Sequence, residues 1–301
     1  MNHDWIVVGV CREEKTDLES VLAAVVALAG SLPAGWISLA DGALQAGAIP
    51  FHSTAGTAAR VRKVIEERGL AIDAAVMPVS QFGKKRLLIS DMDSTIIGQE
   101  CIDELADAVG LKAKISEITE RAMRGELDFE AALTERVAML KGLPLGELER
   151  TYTERLTLNS GARTLVATMK AHGAQTVLVS GGFTFFTSRI AAMAGFAAQQ
   201  GNTLMDDGAA LTGEVGRPIL GRAAKREALE AFCAEGGFAP SEALALGDGA
   251  NDLDMIKAAG LGVAYKAKPV VAAEAVAAIR YTDLTAALFF QGYSADEFVH
   301  G

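Results

Sequence analysis

Apolar residues in this chain recur with two periods. Short, mainly apolar runs of strand type occur at Trp5–Val10, Ile72–Val79, Leu87–Ser90, Thr176–Val179, Ala243–Leu246 and Gly262–Tyr265. Between them lie stretches whose apolar positions return at i, i+3 and i+4, among them Leu18–Ala29, Thr57–Arg68, Gly161–His172, Thr184–Ala194, Ala223–Ala234 and Leu253–Ala259. The first period suits a buried strand, the second one face of a helix. Gly30 and Gly69 follow two of the helical stretches, where a chain leaving a helix needs a residue that accepts positive φ.

Two further short strands, Trp36–Leu39 and Ala46–Phe51, flank Asp41-Gly42 and give the first eighty residues the order β-α-β-β-α-β, a small ferredoxin-like α+β unit. The periodicity stops over Ser80–Lys85, which reads as a linker, so the chain divides into residues 1–82 and 86–301. From Arg86 onward strand and helix alternate, the pattern of a Rossmann-like α/β core with a parallel sheet. One long interruption, from about residue 99 to 157, is charged and helix-prone and is punctuated by Gly110, Gly125 and Gly142; it predicts an all-helical insert. Asp206-Asp207-Gly208 between Thr203–Met205 and Ala210–Val215 predicts a hairpin. Beyond Tyr265 the Ala-rich chain, including Val270–Ala278, reads as helix and tail.

Composition narrows the function classes. The 301 residues are 50% hydrophobic but only 6% aromatic, which suits close helix–sheet packing in about two domains. A formal net charge of −10 argues against nucleic-acid binding, which needs cations to displace counterions. The one basic cluster, Lys84-Lys85-Arg86, sits in the linker. Cys11, Cys101 and Cys233 are far apart and His3, His52, His172 and His300 are scattered, so a disulfide framework, a zinc site and a Ser-His-Asp triad have no support. Val21–Ala29 is far too short to span a bilayer, and the N-terminal run has no basic n-region or signal-length apolar core; the expectation is a cytoplasmic protein with no membrane partner.

Three separate strands run into polar residues: Asp91, Ser180 and Asp248. In a parallel sheet ligands bind beyond the carboxyl ends of the strands, so these residues should meet. An isolated D-x-D is more often a strand-ending turn, but Asp91 and Asp93 point opposite ways along an extended chain and so can divide two tasks, nucleophile and proton carrier. Gly247-Asp248-Gly249-Ala250-Asn251-Asp252 offers hard oxygen ligands of the kind Mg²⁺ takes. Ser180-Gly181-Gly182-Phe183 lets backbone amides approach a phosphate. Lys225, early in a helix where a cation is mildly unfavourable, follows in chain order.

Together D-M-D-S-T, S-G-G-F, Lys225 and G-D-G-A-N-D-L-D-M resemble the four motifs of the haloacid dehalogenase superfamily, and within it those of the phosphoserine phosphatases; the resemblance runs from about Leu87 to Tyr265. It implies that Asp91 is phosphorylated, that Asp93 protonates the leaving oxygen and later activates water, and that Mg²⁺ is held by Asp91, Asp248 and the main-chain carbonyl of Asp93. It implies that Ser180, the Gly181 amide and Lys225 hold phosphate oxygens, that Asn251 contacts substrate and that Asp252 stands behind them as a partner of Lys225. The helical insert then corresponds to the family's cap. Glu100 and Arg136 match the residues that bind the ammonium and carboxylate of phosphoserine, and Met123 and Phe129 match positions that pack over it. The N-terminal unit resembles the small-molecule-binding (ACT-like) module of some longer members, which leaves open whether it senses serine, mediates a homodimer or is only structural. Phosphate transfer to an alcohol such as homoserine, and a non-catalytic sensor, are the rival expectations; the second would have shed a charged motif residue, and none is missing.

Overall fold

The computed structural model describes residues 4–12, 16–53, 56–124 and 126–301; Gly125, expected as a helix stop, lies outside them. The N-terminal unit consists of β1 (Trp5–Cys11), α1 (Leu18–Leu28), β2 (Ile37–Asp41), β3 (Gln45–Phe51), α2 (Thr57–Glu67) and β4 (Asp73–Pro78). Asp17 caps α1 by accepting from the Ser20 amide at 3.1 Å. Strand β5 (Leu87–Ser90) then opens the core. Four helices follow without a strand: α3 (Cys101–Asp107), α4 (Lys112–Met123), α5 (Phe129–Ala138) and α6 (Gly146–Arg155). The α/β alternation resumes with α7 (Ala162–Ala171), β6 (Gln175–Phe183), α8 (Thr184–Ala194) and β7 (Ala198–Asn202). The hairpin β8 (Leu204–Asp206) and β9 (Leu211–Val215) leads to α9 (Arg222–Gly236), β10 (Ala243–Gly247), α10 (Leu253–Ala258), β11 (Leu261–Tyr265), α11 (Pro269–Glu274) and β12 (Ala277–Ile279).

Among the described residues one ten-stranded sheet has the order β2-β3-β1-β4-β12-β11-β10-β5-β6-β7. From β12 to β7 every pair is parallel; from β2 to β4, and across β12–β4, every pair is antiparallel. All four residues of β5 are buried, as expected of a central parallel strand covered on both faces. The chain leaves β5 toward β6 and β7 on one side and returns to β10, β11 and β12 on the other. The topological switch point, where α/β sheets bind ligands, therefore lies between β5 and β10.

Two strands differ from the sequence expectation. β7 carries Gln199, Gln200 and Asn202 in place of an apolar run, because it is the last strand and is only partly buried along most of its length. β12 falls within the Ala-rich stretch expected to be helix; α11 stops at Glu274, and pairing to both β11 and β4 overrides alanine's helical preference. β6 also runs on past Ser180 to Phe183.

The N-terminal unit joins the core at the β12–β4 seam, through Ala277↔Ala75 and Ala278↔Ala74. The buried carboxylate of Asp73 reinforces it, accepting from the amides of Arg280 (2.6 Å), Tyr281 (3.0 Å) and Thr282 (2.8 Å) and from the Thr282 hydroxyl (2.6 Å). Alternation along β1 serves both sides: Val7 and Cys11 pack with α1 and α2, whereas Ile6, Val8 and Val10 join the large cluster that contains Leu88 and Phe289. No helix among the described residues is long and apolar enough to cross a membrane.

Candidate active site

Register brings the polar strand ends together. Ser90 is paired with Leu246 on one side and Leu178 on the other, so Asp91, Asp248 and Ser180 emerge at one edge within a residue or two of each other. Asp91 is buried; its Oδ1 accepts from the Met92 amide at 2.8 Å and lies 2.8 Å from Lys225 Nζ. Asp93 lies across the same space. Its Oδ1 accepts from the Cys101 amide at the start of α3 (2.9 Å), and its Oδ2 from the Ser180 hydroxyl (3.2 Å). The turn between Asp93 and α3 needs Ser94 at φ 53°, a left-handed conformation that costs on the order of 1–3 kcal/mol and persists where the surrounding structure over-determines it. Ser94 in turn donates its hydroxyl to Glu100 at 2.5 Å.

Glycines set the close approaches. A Cβ on Gly182 would stand 2.7 Å from Asp93 Oδ2, and one on Gly247 would stand 2.4 Å from the Asp252 carboxyl carbon. Lys225 reaches the site from α9 with its side chain fully buried, and its ammonium touches Asp252 Oδ1 at 2.6 Å as well as Asp91. Asp252 uses its second oxygen to accept from the amides of Asp248 (3.2 Å) and Gly249 (3.1 Å). Asp248 accepts from the Thr95 hydroxyl at 3.2 Å.

Burial, the negative charge of Asp252 and the nearby Asp93 push the Asp91 carboxyl up to about 7 against the pull of Lys225. Asp248 and Glu100 are held well above the ordinary carboxylate range, and Asp93 above it, in each case chiefly by burial. Burial opposes the charge on Lys225, but Asp252 and Asp91 outweigh it and keep the lysine protonated beyond its usual range. Oxygens of Asp91, Asp248 and Asp252 lie within 4.8 Å of one another. So much buried carboxylate against one ammonium fits a hard divalent cation.

One cavity of about 60 Å³ is lined by Asp91, Asp93, Ser180, Gly181 and Asn251 from the core and by Glu100, Thr119, Phe129 and Arg136 from the helical segment. That is small beside the ~300 Å³ at the lower end of ligand pockets, so the helical segment sits tightly over the strand ends. Arg136 is 5% exposed, with no carboxylate at ion-pair distance among the described residues. The Phe129 ring wedges between Gly181 and Gly221, where added Cβ atoms would meet it at 2.6 and 3.2 Å. The side chain of Met123 lies outside the described residues. Thr119 was not anticipated: it sits inside a helix with no motif around it, and only the pocket reveals it.

Comparison with known proteins matches the haloacid dehalogenase-like hydrolase family over residues 88–257. A phosphoserine phosphatase of Archaeoglobus fulgidus is 44% identical over 217 residues, 71% of this chain and 63% of that protein, so the chain spans somewhat less than two thirds of this relative's length. A phosphoserine phosphatase of a Polaromonas species is 45% identical over 216 residues, 70% of this chain and 91% of that protein. A solved structure described as a phospho-aspartyl intermediate analogue of phosphoserine phosphatase superposes with a TM-score of 0.65 at 37% identity, covering 68% of this chain and 98% of its own.

Proposed function

The chain belongs to the haloacid dehalogenase-like hydrolase family, on its phosphoserine phosphatase branch, and on that premise we propose that it hydrolyses O-phospho-L-serine to L-serine and phosphate, the last step of serine biosynthesis. The observation that carries this reading is the shared cavity: acids suited to phosphoryl transfer and a buried arginine suited to a carboxylate line one space.

In this reading an Asp91 oxygen attacks phosphorus as the bond to the serine oxygen breaks, and the protonated Asp93 gives that oxygen its proton. The raised pKa of Asp93 supports its carrying one. Asp93, now ionised, then takes a proton from the water that attacks the acyl phosphate, which releases phosphate and restores Asp91. Ser180, the Gly181 amide and Lys225 hold the phosphate oxygens, and Asn251 contacts the substrate. Asp91, Asp248 and the Asp93 carbonyl would hold Mg²⁺, which when bound supplies positive charge opposite the developing negative charge. Asp252, with both oxygens engaged by Lys225 and two amides, is suited to orienting these groups from behind. Glu100 and Arg136 read the ammonium and carboxylate. We read residues 1–82 and 86–301 as two domains, with the cap over about 99–157; a separate hydrophobic cluster drawn from β1, β3, β4, α1 and α2 supports the division.

Phosphate release over a panel of phosphomonoesters tests the assignment. Phosphoserine should be preferred, Asp91→Asn should abolish release, and Arg136→Ala should raise KM for phosphoserine far more than for phosphoethanolamine, which has no carboxylate. Release that survives Asp91→Asn refutes the covalent route, and an equal effect of Arg136→Ala on both esters refutes the carboxylate contact.

A further inference from the structure

The guanidinium of Arg136 is buried yet not directly neutralised. Its Nε donates to the Ala132 carbonyl at 3.0 Å and its Nη1 to the Thr119 hydroxyl at 2.9 Å. No described hydrogen bond engages Nη2, and Arg136 lines the cavity with Glu100. The Thr119 hydroxyl accepts from the arginine, and its single proton lies between two acceptors, Asp103 Oδ1 at 2.8 Å and the Ile115 carbonyl one turn earlier at 3.0 Å, of which the carboxylate is the nearer and the charged one. Thr119 is 3% exposed and Asp103 9%. One hydroxyl thus ties together α3, α4 and α5, which carry Asp103, Thr119 and Arg136.

The chemistry of this arrangement differs from that of a salt bridge. A carboxylate in direct bidentate contact would occupy two guanidinium N–H groups, the same groups a ligand carboxylate needs. A buried arginine with no compensation would carry a heavy desolvation penalty. Interposing a hydroxyl avoids both: Asp103 offsets the charge from one hydrogen bond further away, and the guanidinium plane is fixed with its free edge available.

We propose that Thr119, backed by Asp103, is the positioning residue that holds Arg136 ready for a substrate carboxylate, and hence a determinant of selectivity among phosphomonoesters. This rests on the phosphoserine reading given above. Thr119 shares no described hydrogen bond with Asp91, Asp93, Ser180 or Lys225, so its effect should fall on binding of the carboxylate-bearing ester.

Thr119→Val keeps the shape and removes the hydroxyl. It should raise KM for phosphoserine roughly tenfold, as expected for a lost hydrogen bond to a charged group, while kcat and the kinetics with phosphoethanolamine stay near those of the parent enzyme. Thr119→Ser should restore KM. Asp103→Asn, which keeps an acceptor for the hydroxyl but removes the charge, should give a smaller rise of the same pattern and serves if the valine variant folds poorly. A rise shared equally by both esters, or no rise in Thr119→Val and Asp103→Asn, overturns the inference. A parent enzyme with no preference for the carboxylate-bearing ester overturns the phosphoserine reading and this inference together; a preference that Thr119→Val leaves intact overturns this inference alone.

Discussion

Lys225 and Asp252 form an ion pair with no exposed side-chain surface, Nζ to Oδ1 at 2.6 Å. The pair aims the lysine at Asp91 and, through the second Asp252 oxygen, fixes the amides of Asp248 and Gly249. Removing one partner of a buried pair strands the other charge, typically at a cost of about 3–5 kcal/mol. Asp252→Asn should therefore lower unfolding stability in urea by about that much and reduce kcat as well. A loss under about 1 kcal/mol would show that the pair is already relieved by solvent.

Metal affinity should depend on pH with a definite sign. Asp91 is pushed up to about 7, so in the metal-free protein it keeps a proton that an unfolded chain has already released. The metal-free fold thus loses stability as pH rises from the ordinary carboxylate range through about 7, and Mg²⁺ held by Asp91 as proposed would have to displace that proton. Titration calorimetry from about pH 5.5 to about pH 8 should show apparent Mg²⁺ affinity climbing as Asp91, and Asp248 which is also held above the ordinary carboxylate range, give up their protons. A flat profile would mean that Asp91 is ionised throughout.

The Phe129 wedge predicts an order of effects. Gly181→Ala places a Cβ 2.6 Å from the ring tip, while the Cδ1–Cε1 edge of the same ring faces Gly221, so the ring must shift. Overpacking of this kind costs about 1–3 kcal/mol, and phosphatase activity should fall more than tenfold. Gly221→Ala, at 3.2 Å and with φ −117°, which suits any residue, should be milder on both measures. Equal effects would mean that the ring is free to turn aside.

Lys268 crosses from the loop after β11 to α4, its Nζ 3.0 Å from both Glu120 oxygens, while its own amide donates to the Asp248 carbonyl at 3.0 Å. The pair is partly exposed, so Glu120→Gln should change global stability by less than about 1 kcal/mol. Lys268 thus ties the loop beside Asp248 to a helix that lines the cavity through Thr119. Hydrogen exchange in α4 should accordingly rise several-fold in Glu120→Gln, and salt near 1 M should produce the same rise in the parent protein by screening. Unchanged exchange in the variant would remove Lys268 as a latch.

The strands that lead to Asp91, Ser180 and Asp248 were legible because buried parallel strands leave apolar runs, and each run gives way to acids or to Ser-Gly-Gly, although Ser180, Gly181 and Gly182 still belong to β6. The helical segment was legible from its period and charge. β12 was not, since Ala277–Ile279 is a strand only by virtue of two neighbours distant in sequence. β7 was missed because a partly buried outer strand has no apolar signature. Asp73 looked like an ordinary acid at the start of a strand, and Thr119 like an ordinary helix threonine; what each does depends on groups brought near by folding.

The β12–β4 seam has a consequence for solubility. Without β4 the parallel part of the sheet would end at Ala277–Ile279, a short alanine-rich rim with unsatisfied backbone groups and no charge to discourage pairing with another molecule. The N-terminal unit covers that rim and moves the open boundary outward to β2, where Asp41 sits exposed. Whatever else residues 4–78 do, they act as a sheath over the core's adhesive flank, and light scattering of a chain cut after Pro78 should register the loss as self-association.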